Sequence, residues 1–205
     1  MIDLSILLSR SSAHHDHLCP RQVLGVRAGL AGAAALGLDL PRNDKRLLVI
    51  VETDGCFVDG IEAACGATVG HRMLRVEDYG KVAATFVDVS TGRAVRVSPR
   101  LDVRQRAQDY TNEEGRHYFA QLHAYQVMPE SDLLDVQPVY LTTPIQAIVN
   151  RAGLRVACDI CGEEIINNRQ VSYEGMNLCK ACAGQAYYQP VLEPAPLPIP
   201  CDARF

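Results

Sequence analysis

The sequence predicts an α+β protein: a core domain of mixed sheet and helices, followed by a small treble-clef-like zinc finger. Three observations predict it. An alanine-rich run of helical length precedes a short apolar run of strand type; a glycine-containing hairpin signal follows; two Cys-x-x-Cys pairs lie near the C-terminus. The expected boundaries are residues 1–153 for the core, 154–188 for the finger and 189–205 for a proline-rich tail. At 205 residues the chain can bury one sizeable core plus an appendage, and 48% hydrophobic with 21% charged residues is a globular composition.

Met1 to Leu8 carries Asp3, has no basic n-region and is too short an apolar run for a secretion signal or a span, so the expected location is cytoplasmic, without a membrane. Pro20 opens a helix that closes at Gly37, with proline at the first turn and glycine past the end. Its Gly25, Gly29 and Gly32 recur three or four apart and leave one face nearly bare, so a neighbour should pack very close there. Leu47 to Val51 suits a strand covered on both faces, and Glu52 to Cys56 is a turn leading into a helix over Phe57 to Ala64. Val82 to Val89 and Arg93 to Val97 flank Ser90-Thr91-Gly92 as a hairpin. Thr111 with Glu114 forms a capping box before a helix carrying Tyr118, Leu122 and Tyr125. Val139 to Leu141 reads as a strand, and Ile145 to Val149 fits either state.

The finger rests on Cys158, Cys161, Cys179 and Cys182, two pairs separated by seventeen residues. Four thiolates at such spacing match tetrahedral zinc, and a complete sulfur shell leaves no position for a reacting water, which makes the site structural. Roughly 30 residues bury too little apolar area to fold unaided. The reading places a hairpin turn at Asn167-Asn168 and a short helix at the second pair. A redox function for the pairs would need a βαβ frame that this segment lacks.

A second cluster stands just before the first helix: His14, His15, Asp16, His17 and Cys19, the last at a helix N-terminus, where the macrodipole favours thiolate. Asp54, Cys56 and Asp59 lie on the turn after the buried strand. A mixed nitrogen and sulfur shell suits zinc or another transition metal such as iron, and fewer than four protein donors leave room for water or substrate. The blander alternative is that the histidines merely solvate a helix start.

His15-Asp16-His17-Leu18-Cys19-Pro20, the segment Glu52 to Ile61 and Asp78-Tyr79-Gly80-Lys81, in that order, resemble the E-subunit family of formylmethanofuran dehydrogenase over about Ser11 to Val97. The finger resembles a treble-clef extension carried by some members. The resemblance implies an α+β core that forms a homodimer, with His17, Cys19 and Cys56 as metal ligands and His15, Asp54 and Asp59 as neighbours. It also implies molybdenum or tungsten oxidoreductase subunits as partners. The chain departs from the family pattern at Asp16 and Arg21, where glycine is expected, and at Cys65, displaced by two positions and therefore not carried over.

Three readings follow. One is a zinc-binding accessory protein; another is a stand-alone metalloenzyme with a water activated at the core metal or Asp54 as base. A nucleic-acid regulator is the third reading, and the net charge of −4 gives it no global attraction. The sequence identifies no substrate and does not decide whether there is catalysis.

Overall fold

The computed structural model describes residues 3–13, 15–111, 117–149 and 153–190. Two units emerge from its packing, Met1–Val149 and Asn150–Phe205.

The first unit begins with α1 (Leu4–Ser11), capped by Asp3, whose carboxylate accepts the Ser5 N–H at 2.9 Å. The second helix, α2 (Pro20–Leu36), ends as expected at Gly37, in the left-handed conformation that glycine adopts freely. It is apolar nearly all round, which fits its burial from Pro20 to Leu36. Next come β1 (Leu47–Val51), α3 (Cys56–Cys65), β2 (Leu74–Val76), β3 (Ala84–Asp88) and β4 (Ala94–Pro99). After these stand α4 (Val103–Arg106), a 3₁₀ turn at Ala107–Tyr110, α5 (His117–Val127), α6 (Glu130–Leu133), β5 (Leu134–Val139) and α7 (Ile145–Val149).

The strands form one sheet in the order β2-β1-β3-β4-β5, with β1 and β2 parallel and every other pair antiparallel. Register makes Val49, Phe86 and Val95 share a face, and the Phe86 ring meets α2 at Gly32. Arg75, Ile50, Thr85 and Arg96 share the other face, where the Arg75 guanidinium donates to the Ile148 carbonyl of α7 at 3.2 Å. Leu48 and Val87, also on that face, are fully buried, so β1 is covered on both sides as its continuous apolar run requires.

The bare face of α2 has a neighbour. A Cβ on Gly25 would lie 2.2 Å from the Phe57 carbonyl oxygen, and one on Gly60 2.3 Å from that of Gln22. Thus α2 and α3 cross backbone to backbone at Gly25 and Gly60, and their N-termini lie at the same end of the crossing. Arg27, also on α2, donates to the carbonyls of Tyr125, Gln126 and Met128 at 2.9, 3.4 and 2.8 Å, satisfying the C-terminus of α5.

Asp88 closes the β3–β4 hairpin. Its buried carboxylate accepts two bonds from Arg46 at 3.0 Å, the Ser90 hydroxyl at 2.7 Å and the Thr91 hydroxyl at 3.0 Å. The Arg46 guanidinium, foremost, and the two hydroxyls hold its pKa well below the usual carboxylate range. A carboxyl group with a depressed folded value adds stability above the unfolded value of about 3.9, lost as pH falls toward the folded one. Asp88→Asn is therefore expected to cost about 2 kcal/mol at neutral pH and to flatten the loss of stability below pH 4, measured by urea unfolding across pH.

Several sequence expectations are corrected here. The segment read only as an apolar run too short for a signal or a span forms α1, which Asp3 starts. The strand expected at Val139 to Leu141 runs instead over Leu134–Val139, because Val136 and Val97 pair across the sheet. Ile145 to Val149 is helical, and the strand β2 had no expectation at all. The capping box of Thr111 with Glu114 lies partly outside the described residues, as does the proline-rich tail, and His14 lies outside them. Among the described residues, no helix is long and apolar enough to cross a membrane.

The second unit contains two hairpins, β6 (Arg155–Ala157) with β7 (Glu164–Ile166), and β8 (Val171–Tyr173) with β9 (Met176–Leu178). A kinked helical turn, Ala181–Gln185, begins within the second cysteine pair and contains Cys182. The hairpin turn expected at Asn167-Asn168 lies instead at Glu174-Gly175, where Gly175 has φ 81°. Asn167 and Asn168 are also left-handed, at φ 60° and 58°, and link the two hairpins. Their conformation is turn-like, but the ladder register makes them a connection.

Candidate metal centres

The core centre is built where the two helix N-termini come together. Cys19 is the N-cap of α2 and Cys56 the first residue of α3. Gly55, at φ 75° and ψ −155°, makes the turn from β1 into α3 in a region that only glycine occupies readily. Asp59 is one turn beyond Cys56, so the helix puts thiol and carboxylate on one face. His15 reaches across from the loop between α1 and α2, its Nε2 2.9 Å from Asp59 Oδ2. Donor atoms of His15, Cys56 and Asp59 all lie within 4.8 Å of one another.

The Cys19 thiol is a neighbour of Cys56. Burial first, then the Cys19 thiol and the field of Asp59, raise Cys56 above the ordinary thiol range. A helix N-terminus contributes about 0.3–1 kcal/mol to an anion, and here the opposing effects outweigh it. From α5, the Tyr118 hydroxyl donates to the Leu18 carbonyl at 3.2 Å. That bond, to the residue before Cys19, holds the phenol near the α2 N-terminus, and burial first, then the Cys19 and Cys56 thiols, weaken its acidity.

The loop Asp78 to Lys81 braces the floor. The N–H groups of Tyr79 and Lys81 both donate to the Glu52 carbonyl at 3.0 Å, and Asp78 accepts the Gly80 N–H at 2.9 Å. The Glu52 carboxylate takes both donors of Arg96, at 2.6 and 2.7 Å. The end of β1, from which Gly55 and Cys56 depart, is thereby fixed from two sides.

In the second unit the sulfurs of Cys158, Cys161, Cys179 and Cys182 lie mutually within 4.8 Å. Cys161 and Cys179 Sγ are 3.9 Å apart, close to the ~3.8 Å edge of a tetrahedron with metal–sulfur bonds of about 2.3 Å. Backbone N–H groups point at the sulfurs, Cys179 to Cys158 at 3.3 Å and Cys182 to Cys179 at 3.4 Å. Bonds from the Cys161 and Cys179 backbones bring Cys158 down to about 6, whereas the neighbouring thiols, Cys179 first, push Cys182 up to about 12. Crowding disfavours a full set of thiolates, since each repels the next, and a divalent cation offsets that repulsion. This donor set fits zinc.

Comparison with known proteins decides the family. The family model for FmdE, of the molybdenum formylmethanofuran dehydrogenase operon, matches residues 14–148. The chain belongs to the FmdE family. A crystal structure of an FmdE-like protein of tungsten formylmethanofuran dehydrogenase type from Syntrophus aciditrophicus shares the fold, with TM-score 0.62 and 22% identity, over 92% of this chain and 96% of that one. A probable S-adenosyl-L-methionine-binding protein from Archaeoglobus fulgidus is 26% identical over 90% of this chain. The chain spans about half of that curated relative, 54% of its length.

The FmdE match contains every residue of the core centre, while Cys158 to Cys182 lie beyond it. Of the ligands that the resemblance implied, Cys56 joins the three-donor group and Cys19 adjoins it through its thiol. His15, expected only as a neighbour, supplies the group's imidazole, and Asp59 its carboxylate. His17 is exposed and stands outside that group, as does the exposed Asp54. Sequence reasoning passed over Gln22 and left Tyr118 unassigned. No local signal marks Tyr118, because its place depends on the docking of α5; Gln22 carried one, the N3 position of a helix with a capping box.

Proposed function

We propose that this FmdE-family chain is a metal-binding accessory protein with two centres. The four-cysteine finger holds a structural zinc in a treble-clef-like arrangement. The core holds a second transition metal through His15, Cys56 and Asp59, with Cys19 alongside. The observation that carries this reading is the convergence of two separate donor sets, each within 4.8 Å. The closed sulfur shell suits a structural ion; the mixed shell is more open. The family's operon supports molybdenum or tungsten oxidoreductase subunits as partners, and a homodimer is the assembly that we infer with it.

Metal analysis tests the reading. The purified chain is expected to carry one zinc retained on dialysis and to bind a second metal ion in the core. Cys56→Ser and Asp59→Asn should remove the second ion and leave the first, with a loss of core affinity of about 10-fold or more. Unchanged metal content in both variants would overturn the core assignment.

A stand-alone metalloenzyme is the second reading, favoured by one observation: three protein donors leave a coordination position free. A metal there supplies an acidified water or a polarised carbonyl when bound. Beside it, the Tyr118 hydroxyl is held at the Leu18 carbonyl, next to Cys19. Hydrolysis of an activated ester by the metal-loaded chain, abolished in Cys56→Ser, would favour this reading over the accessory role.

A further inference from the structure

We propose that Gln22 is the positioning residue of the core centre, its buried amide joining the two ends of the loop that delivers His15 and Cys19. The loop spans Ser12 to Leu18, between the last residue of α1 and the N-cap of α2. Gln22 Nε2 donates to the Ser11 carbonyl at 2.8 Å, and Gln22 Oε1 accepts the Cys19 N–H at 2.7 Å. The side chain is completely buried.

The chemistry of the two partners leaves one orientation for the amide, since a carbonyl only accepts and an N–H only donates. Both are helix-terminal groups. The Ser11 carbonyl is among those α1 leaves without a helical partner, and the Cys19 N–H lies beyond the ladder of α2. One amide satisfies both, and in doing so fixes the distance between the ends of the loop. Within that loop His15, Asp16 and His17 are exposed, so burial does little to hold them. Besides the His15 contact to Asp59, the loop is tied by the His15 N–H to the Ser12 carbonyl at 2.9 Å and by Tyr118 to Leu18. The side-chain amide therefore acts through other residues: both its bonds go to the backbone, from which His15 and Cys19 project, while the Gln22 backbone N–H donates to the Cys19 thiol.

Among ordinary side chains of this length, an amide does this at any pH, whereas a carboxyl does it only while protonated. Gln22→Met keeps the volume and loses both bonds. Gln22→Glu, when ionised, still accepts from Cys19 but sets a carboxylate against the Ser11 oxygen.

The proposal rests on the core centre's binding a metal, and the test separates the two claims. Cobalt(II) is titrated into the full chain with its finger zinc in place, following the thiolate-to-cobalt absorption. Hydrogen exchange of the Cys19 amide is measured before cobalt is added. Gln22→Met is expected to weaken core cobalt binding about 10- to 100-fold, to shift the absorption band, and to leave the finger zinc unchanged. The Cys19 amide should exchange about tenfold faster or more. Gln22→Glu should weaken cobalt binding while that amide remains protected, and this variant carries the test if the methionine one does not fold. Equal cobalt affinity and an unaltered band in the variants would overturn the positioning role. If the wild-type chain takes up no cobalt beyond the finger, the metal reading fails instead, and the exchange of Cys19 alone decides whether Gln22 clamps the loop: unchanged exchange in Gln22→Met refutes the clamp.

Discussion

Removing zinc from the finger is expected to unfold residues 153–190 while the sheet of the first unit stays folded. The buried cluster of the second unit consists of Cys158, Ile165 and Leu178, with Val156, Cys179, Cys182 and Ala183 packed against it. Three of those seven side chains are the proposed ligands themselves, so losing the metal also loosens the core. The strands are three residues each, and isolated two-stranded hairpins of that size are marginal in water. Structural zinc supplies about 10–16 kcal/mol of apparent binding energy, more than such a unit can replace by burial. The effect should appear as a collapse of amide protection in β8 and β9 after chelation, and likewise in Cys179→Ser, with β1 and β3 still protected. Retained protection in β8 and β9 after complete zinc removal would show that the finger folds without metal.

Gly60→Ala is expected to lower the stability of the first unit by about 3 kcal/mol and to separate Cys19 from Cys56. In an exposed helix the same change would add about 1 kcal/mol through propensity alone. Here the new methyl would lie 2.3 Å from the Gln22 carbonyl oxygen, 2.7 Å from the Val26 nitrogen and 2.8 Å from the Gly25 Cα. All three are backbone atoms of a helix, so no rotamer change relieves the overlap; the helices must move apart. That motion opens the crossing at the end where both thiols stand, so metal affinity should fall along with stability. Gly25→Ala meets the Phe57 oxygen at 2.2 Å and should behave alike. Gly70→Ala, with no atom within 4 Å, is the control and should change stability by less than about 0.5 kcal/mol. Equal denaturation midpoints for Gly60→Ala and Gly70→Ala would refute the close crossing.

Chemistry written into short segments was legible before any fold was known. Spacing alone named the four finger cysteines, because Cys-x-x-Cys fixes two sulfurs on one turn whatever surrounds it. The start and stop of α2 were set by Pro20 and Gly37, and the small residues of its exposed-looking face announced a close neighbour without identifying it. The core centre was legible as a neighbourhood, in that the histidine run and the segment from Asp54 to Asp59 both carried metal-binding side chains. Which imidazole meets Asp59 was not. His15 and His17 are two residues apart in an irregular loop, where no period fixes the direction of a side chain, and only the path between α1 and α2 distinguishes them. The loop's clamp, the docking of α5 by Arg27 and the arrival of Tyr118 depend on contacts between residues far apart in the chain, and these were decided by the tertiary structure alone. The sequence determined the donor types, the family pattern and the helix punctuation, because those follow from local covalent spacing; the packing of α2 against α3 decided which donors share a centre, because it sets distances that no local spacing encodes.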